Sequence, residues 1–294
     1  MEIKLNVSIK DDQLSRGLVP MLGVMPQIEK SKDDSIILEF DGQGFITPVF
    51  VMALIVFCAK WGKKIKLRNI PSYLKTVKFN EGGMRPDKLR FSEFIAQMQE
   101  YYSKSYIPII SFSPKADNRD FIISTVEQTI SSQAGLPGNV FNAVKYIISE
   151  SVDNIADHSD SKRGYIFSQV YKQKGFLDLC IADTGITLLG SYNKMVGNGI
   201  DSDIEAIQAA QKRVSSKNKD GADNRGYGIY TSRKMIVDGL GGQYLMISGS
   251  SIYIKGNGYD NYYSMPNRMR WEGTIIALRI PLLKPGFNYI NYFE

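Results

Sequence analysis

Residues 149–159 read SESVDNIADHS and hold the single histidine of the 294-residue chain. Glu150, Asn154 and His158 follow one another at intervals of four, so on an α-helix they stack one turn apart along one face. Such a ladder fits a metal site, an acid/base pair, or a helix end carrying a histidine by chance. Through and before this stretch, Val140, Val144, Ile147, Ile148, Ser151 and Ile155 trace an apolar stripe with helical spacing. Glu150 and Asn154 lie beside that stripe, at the border between core and solvent.

Around this helix the second half of the chain has a regular pattern. RDFIISTVEQTISSQAG predicts a helix before it. GYIFSQVY and FLDLCIAD predict a hairpin around the turn KQKG. A long polar connection carries one helix, DIEAIQAAQKRV, with Ser202 and Glu205 spaced as a capping box. GYGIYTSRKMIVDG predicts a glycine-initiated helix ending at Gly239, and QYLMISG, SIYIKG and TIIALRIPL predict three more strands. The expected architecture for residues 106–294 is a two-layer α/β sandwich, a mostly antiparallel sheet with helices on one face.

Four features fall in order along this half. Glu150 and Asn154 share a helix. ADTGI places Asp183 and Gly185 at the end of an apolar strand. RGYGI places Gly226 and Gly228 at the opening of a helix. EGTIIALRI sets Gly273 and Thr274 before the last strand. Singly, each is common. A Gly-x-Gly helix start can cradle phosphate with its free N–H groups, yet it also marks plain turns, and an Asp-x-Gly at a strand end is often only a turn. In this order and spacing they resemble the N box, the two glycine boxes and the closing Gly-Thr of the GHKL (Bergerat-fold, histidine kinase-like) ATPases. That family includes the nucleotide-binding domains of gyrase, heat-shock chaperones, sensor histidine kinases and MutL. The resemblance spans about residues 107–285.

The resemblance implies ATP and Mg2+ as ligands. Asn154 matches the magnesium-binding asparagine, an oxygen ligand suited to a hard ion. Glu150 matches the acid that orients or deprotonates the attacking water in hydrolysing members. Asp183 matches the acceptor for the adenine amino group, and Gly185 the position where the base approaches the backbone. Gly226 and Gly228 match the phosphate-facing glycines, with Tyr227 and Ile229 beside them, and Thr274 matches the hydroxyl supporting Asp183 and adenine. About residues 190–225 correspond to the ATP lid, where Lys217, Lys219 and Arg225 would meet phosphate charge. Departures exist. Thr187 stands where the family commonly has another glycine, and Asp157 where many sensor kinases carry a basic residue. The chain also ends soon after Thr274, without the transducer domain that supplies a phosphate-binding lysine in gyrase and MutL, so hydrolysis is expected to be slow. His158 falls one turn beyond the two matched residues, where capping or packing is expected of it before metal binding.

Residues 1–105 carry a different pattern. SIILEF predicts a strand, and FITPVFVMALIVFCA a helix with Thr47 as N-cap and Pro48 at its first position. KKIKLR then predicts a strand with Lys64, Lys66 and Arg68 on one face and Ile65 and Leu67 on the other. Strand, apolar helix and strand in that order predict a parallel pair covered by the helix. The pattern loosely resembles STAS domains of the anti-sigma-factor antagonist type, in which a Ser or Thr at the start of this helix accepts phosphate; Thr47 is the alignable residue. A STAS-like α/β domain (residues 1–105) joined to a GHKL domain (residues 106–294) resembles anti-sigma regulation in one chain.

Bulk properties narrow the classes. With 43% hydrophobic and 22% charged residues, the chain has the composition of a globular protein. Cys58 and Cys180 lie far apart in apolar runs, which excludes a disulfide framework or a cysteine-based zinc site. The apolar helix spans only about 20 Å, short of the roughly 30 Å of bilayer hydrocarbon. No secretion signal opens the sequence, and a cytoplasmic location without membrane contact is expected. Residues 60–90 hold ten Lys/Arg and two Asp/Glu within a chain of net charge +6. That basic strand fits either a solvated sheet edge or a nucleic-acid or acidic-partner surface.

Three functions are therefore expected candidates. The first is a nucleotide-dependent switch that changes an interface with the first domain, with a second copy, or with a protein partner such as a STAS-like or regulatory protein. The second is a serine/threonine kinase acting on Thr47 or on a STAS partner. The third is a nucleic-acid-associated ATPase using Lys64, Lys66 and Arg68. A sensor histidine kinase is disfavoured, because no second histidine remains as phosphoacceptor.

Overall fold

Strand alternation sets up the first sheet. Ile3 and Leu5 of Glu2–Asn6 (β1) and Ile36, Leu38 and Phe40 of Ser35–Asp41 (β2) are buried, while the residues between them turn outward. With Lys64–Arg68 (β3) they form a parallel sheet in the order β1-β2-β3. Val19–Lys30 (α1) and Pro48–Lys60 (α2) make the crossovers. Each advances the chain by one strand in the same direction, so the right-handed rule places both helices on one face. The structure, a computed structural model, describes residues 1–7, 13–41, 46–60, 64–194, 199–212 and 228–293.

The second sheet is larger. Its strands are Ile110–Phe112 (β4), Gly164–Tyr171 (β5), Phe176–Asp183 (β6), Gln243–Gly249 (β7), Ser251–Gly256 (β8), Tyr259–Ser264 (β9) and Trp271–Pro281 (β10). They run in the order β4-β5-β6-β10-β7-β8-β9 with every neighbour antiparallel. The β5–β6 hairpin closes through Gly175 at φ 73°. Ser72–Thr76 (α3) and Phe91–Gln99 (α4) precede the sheet. Arg119–Ala134 (α5) and Gly138–His158 (α6) pack against each other on it, joined through the left-handed cap Gly135. The stripe from Val140 to Ile155 is buried, as its spacing predicts. Leu188–Tyr192 (α7) and Asp203–Ala210 (α8) follow β6. Gly228–Arg233 (α9) then runs into a π-helical turn, Lys234–Gly239, where the sequence predicts one unbroken helix.

Why α2 is apolar nearly all round is answered by its neighbours. Val49 to Leu54 are all 0% exposed. Phe50 meets Phe40 of β2 edge-on at 6.4 Å, and α2 also lies against β5, β6 and β10. Along β6, Ile181 and Asp183 point toward α6, so Cys180 and Ala182 point to the opposite face, with Ala277 of β10 opposite Cys180. Those small side chains let α2 approach closely. On the same face Gln169, Asp178, Arg279 and Gln243 form a cross-strand row. Arg279 donates from Nε and Nη2 to the buried Asp178 at 2.8 and 2.9 Å. The Tyr73 hydroxyl donates to Gln169, and the Leu14 N–H donates to Gln243 at 3.2 Å.

The layers are thus sheet, helices α1 and α2, sheet, and helices α5, α6 and α9, sharing one apolar core through both halves. The mixed α/β architecture agrees with the sequence. The second face of the large sheet does not, because a helix from the first half covers it. Strands β1 and β9 and helix α1 are further additions. Helix α1 is masked in the sequence by Gly23 and Pro26 within it. Among the described residues no helix is long and apolar enough to cross a membrane.

Candidate functional site

Helix α6 presents its half-buried Glu150 and Asn154 where α9 and the end of β6 converge. Asn154, Ser151 and Ile155 line one pocket with Ile181 and Asp183 of β6, Thr274 and Ile276 of β10, Leu188 of α7 and Ile229 of α9. The walls are branched aliphatic side chains, and the polar groups are few and separated. Such a lining offers apolar contact with a few hydrogen-bonding groups.

Asp183 is 3% exposed. Its Oδ1 accepts the Gly185 N–H at 2.7 Å and its Oδ2 the Thr274 N–H at 3.2 Å. Both glycines nearby are needed sterically. A Cβ on Gly185 would overlap the Ser159 carbonyl oxygen, which also accepts the Ile186 N–H at 2.6 Å. Gly273 has φ 76° at a register shift in β10, and a Cβ there would overlap the Asp183 carbonyl. The shift turns the Thr274 N–H toward Asp183. The Thr274 hydroxyl lies 3.2 Å from the Ser248 hydroxyl, so Thr274 reaches Asp183 through its backbone.

At the other end, Gly228 is buried against α6, and a Cβ on it would overlap the Glu150 carboxylate. Ile229 follows in the pocket wall. Lys217, Lys219, Arg225, Gly226 and Tyr227 lie outside the described residues. Tyr146, one turn before Glu150, has its hydroxyl pushed up to about 12 by burial and then by the Glu150 charge. The aromatic C-terminal turn Tyr289–Tyr292 packs back onto α6 and the π-helical turn, and Phe293 meets Tyr146 edge-on at 4.7 Å. His158 closes α6, and its Nδ1 lies 3.4 Å from the Ser191 hydroxyl of α7. The histidine thus joins two helix ends, apart from the Asn154 pocket wall.

Among the described residues no group of three or more His, Cys, Asp or Glu is placed to hold a metal ion. Part of the stretch expected as a lid is packed: Tyr192, Ile200 and Ala206 form a small core of their own with α7 and α8. Of the site residues named from the sequence, Asn154, Asp183, Ile229 and Thr274 line the pocket. Sequence reasoning passed over Leu188, Ile181 and Ile276, whose aliphatic character alone gives no sign of lining a pocket.

Thr47 and the basic strand occupy other surfaces. Thr47 is 3% exposed, its Oγ1 accepts the Phe50 N–H at 3.3 Å as an N-cap, and a Cβ on Gly17 would overlap that oxygen. Strand β3 is a sheet edge with Lys66 and Arg68 exposed, and Arg68 pairs with Glu2 at 2.9 Å; the Lys64 side chain lies outside the described residues. No protein-family model matches the chain, and a search of curated proteins returns no match.

Proposed function

We propose that this protein is a nucleotide-dependent regulatory protein of the GHKL type, binding ATP with Mg2+ in the pocket between α6, β6 and β10. One observation carries the reading. Asn154, Asp183 and Thr274, far apart in sequence, line a single pocket, which is what a shared nucleotide site requires of them. The buried Asp183 carboxylate offers an acceptor to a purine amino group, and Ile155, Ile181 and Ile276 provide apolar walls for a base. A guanine would present its carbonyl oxygen to the same carboxylate, so adenine is preferred.

The residues fit a magnesium nucleotide in a limited sense. The Asn154 amide oxygen is a hard ligand on the pocket wall, and phosphates would supply the remaining oxygens. The ion would offset phosphate charge when bound. Glu150, held beside Gly228 at the start of α9, is the group available to accept a proton from a water or hydroxyl. Ile229 and Leu188 exclude solvent from the base end.

Two observations favour a switch over the alternatives. Thr47 is buried, hydrogen-bonded as an N-cap and carried by the helix that covers the sheet face opposite the pocket; transfer to it within one chain lacks an approach. On the basic strand, Arg68 is paired with Glu2 of β1, which leaves less charge for nucleic acid. Equilibrium binding of a fluorescent ATP analogue, with and without magnesium, tests the proposal. Magnesium-dependent saturable binding supports it, and no binding at millimolar nucleotide ends it. Incubation with γ-labelled ATP and mass spectrometry distinguishes transfer to protein from simple binding.

A further inference from the structure

Between the pocket and the connection after it lies a polar cluster that none of the motifs accounts for. Asp203, the first residue of α8, is 5% exposed. Its Oδ2 accepts the Ser250 N–H and hydroxyl, each at 2.9 Å, and the Arg270 Nη1 at 2.7 Å. The second Arg270 arm, Nη2, donates to the Thr187 Oγ1 at 3.2 Å, and that oxygen also accepts the Gly190 N–H at 3.2 Å as the N-cap of α7. The Thr187 hydroxyl points its own proton at Asp203 Oδ1, 3.5 Å away. Gly249, at φ 62°, leaves room for the carboxylate, since a Cβ there would overlap it.

We infer that Arg270, Asp203 and Thr187 form a clamp in which Arg270 is a positioning residue for the pocket, an inference that rests on the nucleotide-binding reading above. Thr187 and Asp203 bracket residues 188–202, so the clamp ties both ends of that excursion to one point. Next to Thr187, Leu188 lines the pocket and donates its N–H to the Ser248 hydroxyl at 2.9 Å. Ser248 in turn lies 3.2 Å from the Thr274 hydroxyl. The clamp therefore fixes the wall formed by Leu188 relative to Thr274 and Asp183. Thr187, the residue that replaces a glycine expected from the motif, has a role in this geometry: its hydroxyl is the joint between the pocket turn and α8. A planar guanidinium spans a carboxylate and a hydroxyl at once, which a lysine cannot reproduce.

The wall borders the base end of the pocket, so loosening it acts on every adenine ligand alike. Thr187→Val and Arg270→Met should weaken ADP and the ATP analogue by the same factor, on the order of 10-fold, as for loss of one hydrogen-bond partner of a buried group. Thr187→Ser, which keeps the hydroxyl, should bind as the parent protein does, and Arg270→Lys should recover only part of the loss. The double variant should be no weaker than Arg270→Met alone, because both changes open one clamp. Hydrogen exchange of the α7 and α8 amides gives a readout that needs no nucleotide, and it should accelerate in Arg270→Met while α5 and α6 stay protected. Unchanged exchange in α7 and α8 would overturn the clamp whatever the protein binds. Unchanged affinity in a parent that binds nucleotide would remove its positioning role. Accelerated exchange in Arg270→Met, with a parent protein that binds no nucleotide, would instead overturn the nucleotide reading and the positioning role built on it.

Discussion

Gly228, the first residue of α9, is pressed against Glu150 of α6 so closely that a Cβ would overlap the Glu150 carboxylate. Two motifs more than seventy positions apart in the chain therefore share one steric constraint. Gly228→Ala should displace a flexible side-chain end and leave the fold intact, yet weaken the proposed nucleotide binding about 10-fold by moving Glu150 and the α9 start, an effect of about 1.4 kcal/mol. Gly138→Ala is the control, because a Cβ there would meet nothing within 4 Å. Circular dichroism and binding titrations on both variants separate the two outcomes.

Asp183 serves the fold and the pocket together. In Asp183→Asn one oxygen becomes an NH2 facing a backbone N–H donor, either that of Gly185 or that of Thr274. The loss should be about 1–3 kcal/mol of stability, seen in urea unfolding, with the proposed adenine-nucleotide binding weakened beyond what the residual folded fraction explains.

At Gly185 the constraint is backbone against backbone, since a Cβ would overlap the Ser159 carbonyl oxygen. Neither side can swing away as a side chain does. Gly185→Ala should therefore cost about 3 kcal/mol or more, measured as a lowered urea midpoint at unchanged slope.

Glu127 of α5 is 4% exposed, and its Oε1 has no hydrogen-bond partner. Burial pushes its carboxyl up to about 7 from 4.5, with the charge of Lys145 opposing the rise. A raised folded value means that the native state holds the proton longer than the unfolded chain. Stability is thus lost as pH climbs from about 4.5 to about 7, by up to about 3 kcal/mol. Glu127→Gln should flatten that slope, gaining stability at pH 8 relative to pH 5; parallel pH-dependent melts of the two proteins check it.

Arg279 and Asp178 are 8% and 0% exposed and pair on the face covered by α2. Arg279→Leu alone should cost about 3–5 kcal/mol by stranding a buried carboxylate. Changing Asp178 to Leu as well should recover much of the loss, which a denaturant double-mutant cycle would measure.

Much of this was legible in the sequence because local chemistry decides it. Periodicity marked α6 and its buried stripe, the alternation of KKIKLR marked β3, Thr47-Pro48 marked the start of α2, and glycine marked the turns of the β5–β6 hairpin and the end of α5. Side-chain direction follows from backbone repeat, so Glu150 and Asn154 had to share a face. The spacing of Asp183, Gly185, Gly273 and Thr274 likewise flagged positions that prove to be neighbours.

Tertiary structure alone decided what those faces meet. A helix apolar on every side has no preferred partner, and only the packed chain shows α2 lying between two sheets, on small residues of β6 and β10. Leu188, Ile181 and Ile276 carry no mark of a pocket until α6 and α9 enclose them. The Arg270–Asp203–Thr187 clamp joins residues whose separations follow no helical or strand period, because long-range hydrogen bonds depend on where loops close and not on repeat. What the sequence determined was which groups are available and in which local direction they point; which of them meet was decided by how the two sheets and their helices stack.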